Sequence, residues 1–415
     1  MKPIRKTIFS QPSWRIATPQ VEAWLTELGG HLGPVTFKLG RRKITPFNLA
    51  PWHSERHGER LGKKLANSTL PVIKVLRGDF FCLPFGGNTT PFGKERHPVH
   101  GETANRKWQL ESFDAGKDVT RIHCSMTTTV RKGRVDKNIE LRRGQHAIYQ
   151  RHVVSNMSGP MCLGHHAMLK FPDSPGSGLL SFSPFKFGQT WLAPVERPEN
   201  RGYSMLKPAA EFSSLDRVPT VFGDTTDLSV YPARRGYEDL AVLIADDSKP
   251  LAWSAVVFPA ERYVWFSLRD PRQLASTILW LSNGGRHYAP WDGRHVNVIG
   301  IEDVTSFFHP GLAESVADNP LSRRGIKTTV TLNPKKPLII NYIMGIADVP
   351  QGFDRVADII PGDGIVTLVS RNGTSMNVPV DVSWLAVATP VSGVLEESRK
   401  KRPAPPQRPR HPEGS

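Results

Sequence analysis

The chain has 415 residues, a formal net charge of +16 and only three cysteines. This length can bury a large core, and the composition is typical of a globular protein. There is no run of about 18 apolar residues, as a membrane helix would need, and the N-terminal MKPIRKTIFSQPSW lacks the continuous apolar segment of a secretory signal. We therefore expect a cytoplasmic protein with no membrane partner.

The positive charge does not by itself indicate a nucleic-acid-binding protein. Six basic residues lie in SRKKRPAPPQRPRHPEGS, residues 398–415, whose composition offers almost no apolar side chains to bury. We expect residues 391–415 to form a disordered basic, Pro-rich tail. The rest of the chain has no helix-turn-helix, RNP or zinc-finger pattern, so we expect no nucleic-acid partner.

The cysteines indicate a reduced protein. Cys82, Cys124 and Cys162 are too few and too widely spaced for a disulfide framework, and no CxxC pair suggests a zinc ribbon. We expect three buried thiols.

In chain order, the first regular element is a helical pattern at residues 18–29, TPQVEAWLTELG. After it, short segments that alternate apolar and polar residues are separated by Gly, Pro, Asn and Asp, which is typical of strands. The clearest are TRIHCSMTTTV, NIELRRGQHAIYQRHVVSN, MCLGHHAMLKF, AVLIA, LAWSAVVF, RYVWFSL, VNVIGIEDV, IKTTVTL, KPLIINYIMGI and GIVTLVS.

So many strands without long helices between them predict an all-β protein, a large antiparallel sandwich with few short helices. No low-complexity linker interrupts the chain before residue 390, so we expect one domain over residues 1–390, with residues 351–388 as an added β hairpin. No GxGxxG or GxxxxGK phosphate loop occurs, and we expect no cofactor.

The segment HSERH, residues 53–57, has two histidines at a spacing that can hold zinc on a helix. A zincin needs HExxH, however, and here the glutamate is one position late. Pro51 and Gly58 also favour a loop. We expect a solvated loop and no metal site.

His100 lies in HPVHGETANRKW, residues 97–108, a few residues after GDFFCLPFGGN, a buried-looking strand that leads into a glycine turn. Turns at strand ends are common places for polar ligand contacts. A structural role for His100 fits the pattern equally well.

In MCLGHHAMLKF, alternation places His165 and His166 on opposite faces of one strand, so one of them points toward the core or a binding pocket. Burial disfavours the charged form of a histidine, and a nearby carboxylate can restore it. Such a side chain is a tunable proton donor, although a core histidine bonded to the backbone is the alternative.

Glu302 ends the apolar segment VNVIGI, residues 296–301, where a carboxylate is costly without a function or a partner. Burial would raise its pKa above about 4.3, toward that of a general base. Asp303 should face the other way. An ion pair of Glu302 with Arg286 or Arg294 is the alternative interpretation.

Tryptophans accompany these histidines and acids. Trp280 and Trp291 flank NGGRHYAPW, which contains Asn283 and Arg286. Aromatic faces combined with amide and guanidinium groups are what sugar recognition uses. The same aromatics could also belong to the core.

The order of these motifs resembles the aldose 1-epimerase (galactose mutarotase) superfamily. GGHLGPVTF at 29–37 resembles its opening strands, GDFFCLPFGGN its strand leading into the sugar loop, and HG at 100–101, HHAMLKF and IGIED followed by a Pro-Gly turn occur in the family's order. The resemblance covers most of residues 20–350. It implies a large antiparallel β supersandwich.

The resemblance also implies the chemistry. A histidine, here His166, donates a proton to the sugar ring oxygen, and a late glutamate, here Glu302, takes one from the anomeric hydroxyl. The HG histidine, here His100, would hold the sugar. Ring opening, rotation and reclosure then give the other anomer without a cofactor.

The chain departs from the family motif around these residues. His165 replaces an asparagine, and Met168 and Leu169 replace a Tyr-Phe pair. A family arginine is not evident after Pro84; Asn88 stands near its place, and Arg106 or Arg286 are possible substitutes.

The sequence thus predicts an epimerase that acts on a small carbohydrate, with a catalytically silent carbohydrate-binding protein on the same scaffold as the alternative. A metal-dependent enzyme that uses the histidine clusters is a third hypothesis. The substrate-binding residues we expect are His100, Asn88, Arg106, Trp280, Asn283, Arg286 and Trp291.

Overall fold

The protein is described here by a computed structural model that covers residues 2–53 and 70–386. Within these ranges the chain is built almost entirely of antiparallel strands, which confirms the all-β prediction. The first five strands form a sheet in sequential order: β1 Arg5–Ile8, β2 Gln11–Ala17, β3 Val21–Thr26, β4 Leu32–Leu39 and β5 Arg42–Ile44.

The helix predicted over residues 18–29 is wrong, because this segment contains strand β3. Val21, Ala23 and Leu25 are fully buried, and β3 pairs with both β2 and β4. Pairing on both sides satisfies the backbone, and the β-branched and aromatic side chains Val21 and Trp24 suit a pleated surface. Tertiary packing therefore overrides the weak helical pattern.

The middle of the chain continues with β6 Phe81–Cys82, β7 Gln109–Ala115, β8 Val119–Thr128, β9 Gly133–Arg142, β10 Ala147–Ser155, β11 Gly159–Met161, β12 Leu163–His165, β13 Ala167–Lys170, β14 Gly178–Phe182 and β15 Phe185–Thr190. Four two-residue strands follow, namely β16 Glu211–Phe212, β17 Val218–Pro219, β18 Thr225–Thr226 and β19 Val230–Tyr231. The long strand β20, Tyr237–Ala245, comes after them.

The C-terminal part contains β21 Ala252–Phe258, β22 Tyr263–Arg269, β23 Ser276–Asn283, β24 Val298–Thr305, β25 Val330–Leu332, β26 Leu338–Asp348, β27 Val356–Pro361, β28 Ile365–Ser370 and β29 Ser375–Pro379. The α-helices of the described residues are short: α1 Pro71–Val75 and α2 Leu312–Val316. In the ranges covered, no helix is long and apolar enough to cross a membrane.

Two large sheets carry the architecture. The first has the order β19-β14-β21-β22-β26-β10-β9-β8-β7, and the second has the order β16-β15-β20-β23-β24-β12-β6, with β13 also paired to β24. The main hydrophobic core contains residues of both sheets and of the N-terminal sheet. Strand β24 lies inside the second sheet and is buried along its whole length, which places Glu302 in the interior.

A second core explains why several strands are apolar on both faces. In β22, Trp265 belongs to the main core, while Val264 and Phe266 belong to a second cluster with Ile359 and Leu368. The latter two come from a three-stranded sheet of β27, β28 and β29. The segment at 351–388, which we predicted as an added β hairpin, therefore contains a third strand.

Cys82, Cys124 and Cys162 are free and buried, as predicted. The tail at 391–415 and the domain boundary at 390 lie outside the described residues and stay predictions.

Candidate active site

The centre of the site is the pair His166 and Glu302. His166 Nε2 lies 3.3 Å from Glu302 Oε1, and both side chains are buried. His166 Nδ1 and Glu302 Oε2 are also buried, and neither has a hydrogen-bond partner within residues 2–53 and 70–386. Buried polar atoms are nearly always paired in native proteins, so these two atoms mark a place where a polar ligand would find partners.

Backbone pairing fixes the position of His166, which lies between β12 and β13. Its backbone N–H is shared between the carbonyl oxygen of Phe80, at 3.0 Å, and Asp79 Oδ1, at 3.2 Å. The Phe80 ring stacks on the His166 ring with centroids 4.5 Å apart. His165 points elsewhere, since its Nδ1 lies 3.0 Å from Asp79 Oδ2 and its ring stacks on Tyr342.

His100 contacts the pair from the turn that follows β6. Its ring centroid lies 4.8 Å from that of His166. The turn requires Gly101, because a Cβ there would lie 1.9 Å from the Leu83 carbonyl oxygen, and φ is +75°. His100 Nδ1 accepts a hydrogen bond from the Gly86 N–H at 3.4 Å, so in neutral His100 the proton is on Nε2.

His309, which the sequence analysis missed, completes the histidine cluster. Its Nε2 lies 3.4 Å from His100 Nε2, and its side chain is partly exposed. It lies in the loop between β24 and α2. The sequence signal was the Pro-Gly turn after IGIED, since His309 directly precedes it.

Aromatic side chains form the wall next to this cluster. Trp280, on β23, has its ring 5.6 Å from His166, and Trp291 lies 6.0 Å from Trp280. The Arg286 guanidinium lies 4.7 Å from the Trp291 ring centroid and 5.6 Å from that of Trp280. Of the four sugar contacts that the sequence predicted in this segment, Trp280 lies next to His166, while Trp291 and Arg286 lie against Trp280.

A second buried acid, Glu238, was also missed. It lies on β20, and its Oε1 accepts a hydrogen bond from Trp280 Nε1 at 2.6 Å. Burial raises its pKa to about 7. The available sequence signal was the acidic pair that begins the apolar strand YEDLAVLIA.

A hydrogen-bond chain holds Glu238 in place. Asn48 Nδ2 donates to His295 Nε2 at 3.0 Å, His295 Nδ1 donates to Ser282 Oγ at 2.6 Å, and Ser282 Oγ donates to Glu238 Oε2 at 3.0 Å. The His295 ring also stacks on Trp280, with centroids 5.4 Å apart. The stacked His295 ring and the hydrogen bond to Glu238 therefore hold the Trp280 side chain in position.

Arg286 is already paired with carboxylates. Its Nε donates to Glu196 Oε1 at 2.6 Å, and its Nη1 lies 3.4 Å from Glu238 Oε1. Tyr288 OH donates to the same Glu196 oxygen at 2.9 Å. Arg286 therefore offers its remaining donors and its planar face rather than an unpaired positive charge.

The structure places three predicted binding residues in other roles. Asn88 Nδ2 donates to the Gly86 carbonyl at 3.0 Å, and Asn88 Oδ1 accepts from the Leu312 N–H at 3.0 Å. Asn283 Nδ2 donates to the Ala233 carbonyl at 3.1 Å. Both amides tie loops together.

Arg106 Nη1 lies 2.6 Å from Glu102 Oε1 and 2.8 Å from Thr129 Oγ1, and its side chain is largely exposed. Arg106 therefore joins the loop that carries His100 to the turn between β8 and β9.

Burial favours the uncharged forms of both members of the pair. Burial lowers the pKa of His166 to about 3 and raises the pKa of Glu302 well above its usual 4.5. Burial also lowers the pKa of His309 to about 4 and that of His100 well below 6.5. These pKa directions favour a proton on Glu302 and an unprotonated acceptor nitrogen on His166.

The predicted alternative of a zinc site at His53 and His57 concerns a segment that is only partly described. His53 Nδ1 lies 2.8 Å from the Ala50 carbonyl oxygen, whereas His57 lies outside the described residues. Across residues 2–53 and 70–386, no group of three or more His, Cys, Asp or Glu side chains is arranged to hold a metal ion.

Solved structures of mutarotase-like proteins share this fold. A galactose mutarotase-like protein from Clostridium acetobutylicum matches with a TM-score of 0.55 at 14% identity, over 83% of this chain and 98% of that one. A galactose mutarotase related enzyme from Lactobacillus acidophilus matches at 0.51 and 12% identity, over 82% and 99%. A candidate aldose 1-epimerase from Klebsiella pneumoniae matches at 0.55 and 14% identity, over 82% of each chain.

No protein-family model matches the chain, and no curated protein matches it by sequence. The likeness is therefore one of fold, since the identities are low. The chain has the galactose mutarotase-like fold, and the predicted resemblance to the aldose 1-epimerase superfamily is confirmed at that level.

Proposed function

We propose that the protein is a carbohydrate mutarotase that interconverts the anomers of an aldose or sugar derivative, with His166 and Glu302 as its proton-transfer pair. The observation that carries the proposal is the buried contact of 3.3 Å between them, together with the unpartnered His166 Nδ1 and Glu302 Oε2. An unsatisfied buried polar atom costs about 1–3 kcal/mol. Sugar hydroxyl and ring oxygens offer the partners that these atoms lack.

The chemistry needs one proton donor and one proton acceptor. A proton goes to the ring oxygen and another leaves the anomeric hydroxyl, so the bond between C1 and the ring oxygen breaks and C1 becomes an aldehyde. Rotation about the C1–C2 bond then presents the other face of C1. The hydroxyl formed from the ring oxygen attacks that face, and both proton transfers run in reverse. The pair returns to its starting state, and such catalysis contributes about a hundred- to ten-thousandfold.

The resemblance implies that His166 donates and Glu302 accepts, whereas the pKa directions support the opposite assignment. Burial favours a neutral His166 and a protonated Glu302. The two assignments differ in how the sugar lies: the group that carries the proton faces the ring oxygen, and the other group faces the anomeric hydroxyl. Because reclosure uses each group in the reverse role, either assignment completes the reaction.

Substrate binding is proposed for the side chains around the pair. His100 and His309 offer ring nitrogens to hydroxyl groups, Trp280 and Trp291 offer apolar faces to the CH groups of a pyranose, and Arg286 offers its remaining donors.

A catalytically silent carbohydrate-binding protein is the second candidate. The observation that favours it is the low pKa of His166, about 3, because a neutral imidazole is a weak acid. The same residues would then bind a sugar without moving its protons.

Exchange NMR between the two anomers of each sugar separates these functions. We expect the purified protein to speed anomer interconversion for at least one member of a panel of hexoses, pentoses and hexose phosphates. Saturation transfer to a sugar without faster exchange would establish the silent binder instead. Metal analysis of the active sample tests the metal-dependent hypothesis, and the cytoplasmic location stays a prediction.

A further inference from the structure

We propose that a second carbohydrate-binding subsite lies beside the catalytic pair and that it takes the neighbouring sugar unit of a reducing oligosaccharide. This inference rests on the proposed function for the reducing end and adds a substrate class to it. The subsite is a cavity of about 530 Å³ between the loop at residues 194–204, the β17–β18 turn and the start of β20. Ligand cavities for small molecules span about 300–1,000 Å³.

The lining of this cavity has the chemistry of sugar recognition. Tyr203, Phe222 and Tyr237 contribute aromatic rings, Glu196 and Glu199 contribute carboxylates, and Arg197 contributes guanidinium donors. Aromatic faces pack against the CH faces of a pyranose, while charged and hydroxyl groups bind its hydroxyls.

Three large apolar side chains of the cavity wall are exposed to solvent. Tyr203 is 43% exposed, Val221 52% and Phe222 53%. They are three of the eight large apolar side chains that are exposed within the described residues, and all three line this cavity. Clustered exposed apolar surface commonly marks a binding site.

The cavity is joined to the catalytic site through a shared ion pair. Glu196 lies in its wall and accepts a hydrogen bond from Arg286 at 2.6 Å. On its other side, Arg286 lies 4.7 Å from Trp291 and 5.6 Å from Trp280, whose ring contacts His166. Arg286 therefore forms the boundary between the two sugar positions.

Backbone bonds hold this boundary rigid. The Tyr203 N–H donates to the Gly285 carbonyl at 2.9 Å, and the Glu238 N–H donates to the Tyr203 carbonyl at 2.8 Å. The Tyr203 backbone is thus tied to the segments that carry Arg286 and Glu238, so a ligand pays little entropy for ordering the loop.

The reaction dictates which way the substrate lies. Anomer exchange occurs at C1, so C1 of the reducing sugar must contact His166 and Glu302. The next sugar is attached on a distal carbon of that ring and therefore extends away from the pair. We place it beyond Arg286, in the cavity whose wall contains the Arg286 partner Glu196.

Kinetics on matched sugars test the subsite. We would measure anomer exchange for glucose and galactose and for the reducing disaccharides maltose, cellobiose and lactose, in the wild type and in the Tyr203→Ala and Phe222→Ala variants. Ile360→Ala is the control, since Ile360 is 48% exposed on β27 and does not line the cavity.

We expect at least one disaccharide to have a KM about tenfold below that of its monosaccharide, which corresponds to about 1.4 kcal/mol. Tyr203→Ala and Phe222→Ala should erase this advantage and leave the monosaccharide KM and kcat unchanged. The proposal is overturned if no disaccharide is preferred, or if the variants affect both sugar lengths equally.

A failure of the proposed function has a different signature. If the wild type speeds exchange for none of these sugars, the mutarotase proposal fails, and saturation-transfer NMR then decides the subsite alone. Saturation-transfer signals of a disaccharide that disappear in the Tyr203→Ala variant and persist in the Ile360→Ala variant would support the subsite. If the wild type gives no such signals, the subsite proposal is overturned.

Discussion

Glu302 and Asp303 are consecutive acids on one buried strand, yet their surroundings differ completely. Asp303 lies 2.7 Å from Arg269 Nη1 and accepts hydrogen bonds from Thr277, Ser267 and Tyr342 at 2.7, 2.9 and 2.8 Å. Glu302 has His166 at 3.3 Å and one oxygen with no partner inside the described ranges. A buried carboxylate with all its partners is part of the scaffold, whereas one that lacks partners is prepared for a ligand.

His165 and His166 show the same contrast. His165 is held by Asp79 and stacked on Tyr342, on the side of the sheet where Asp303 lies. His166 faces Glu302, His100 and Trp280. In each of these two segments, alternation turns one residue, His165 or Asp303, toward the scaffold. It turns the other residue, His166 or Glu302, toward the candidate site.

The largest effect that we expect is on stability at Asp303. Asp303→Asn removes the charge that balances the buried Arg269, and breaking a buried ion pair costs about 3–5 kcal/mol. Glu302→Gln should change the free energy of unfolding by less than about 1 kcal/mol, because it removes no such pair. Urea denaturation of both variants measures this difference, and equal losses would contradict the contrast drawn between the two acids.

The histidine pair gives the next largest effect. His166→Asn should lower anomer exchange by at least about a hundredfold, because it removes the proton acceptor of the pair. His165→Asn should cost less activity. The reverse order would show that His165, not His166, faces the substrate.

At His100 we expect a smaller change that affects binding and turnover together. His100→Ala should weaken sugar binding and lower kcat, each by about tenfold, because a positioning contact serves the ground state and the transition state alike. His97, which pairs with Glu95 at 2.8 Å on the same loop, is the matched control. A response to His97→Ala with none to His100→Ala would move the sugar site away from this cluster.

The smallest expected effect is that of pH. Burial lowers the pKa of His166 to about 3 and raises that of Glu302. Lowering the pH from 7 to 5 therefore neither protonates His166 nor removes a proton from Glu302, and kcat/KM should change little. A histidine acceptor with an ordinary pKa near 6.5 would lose close to tenfold per pH unit below that value. The pKa of Glu238 is about 7, so this group also titrates near the upper end of the pH range. The pH dependence of kcat/KM is therefore measured for the Glu238→Gln variant as well.

Sequence reasoning predicted the fold from strand alternation and failed where packing overrides pattern. The segment at 18–29 has helical spacing, but pairing on both edges makes it a strand. Apolar strands such as RYVWFSL were recognised, although only the structure shows that the three-stranded sheet covers their second face.

Motif order selected His100, His166 and Glu302, and the structure brings these three side chains together; their roles stay predictions. Asn88 and Asn283 were taken for ligand contacts, because an amide in a turn looks the same in sequence whether it binds a sugar or the backbone. Glu238 and His309 were missed, since they reach the site from elements distant in sequence.

The most direct test of the account is anomer exchange by the Glu302→Gln variant, compared with the wild type on the sugar that the wild type turns over fastest. We expect a loss of at least about a hundredfold with an unchanged melting temperature, because glutamine keeps the shape and cannot exchange the proton. Exchange at the wild-type rate in a folded Glu302→Gln protein would contradict the assignment of His166 and Glu302 as the catalytic pair.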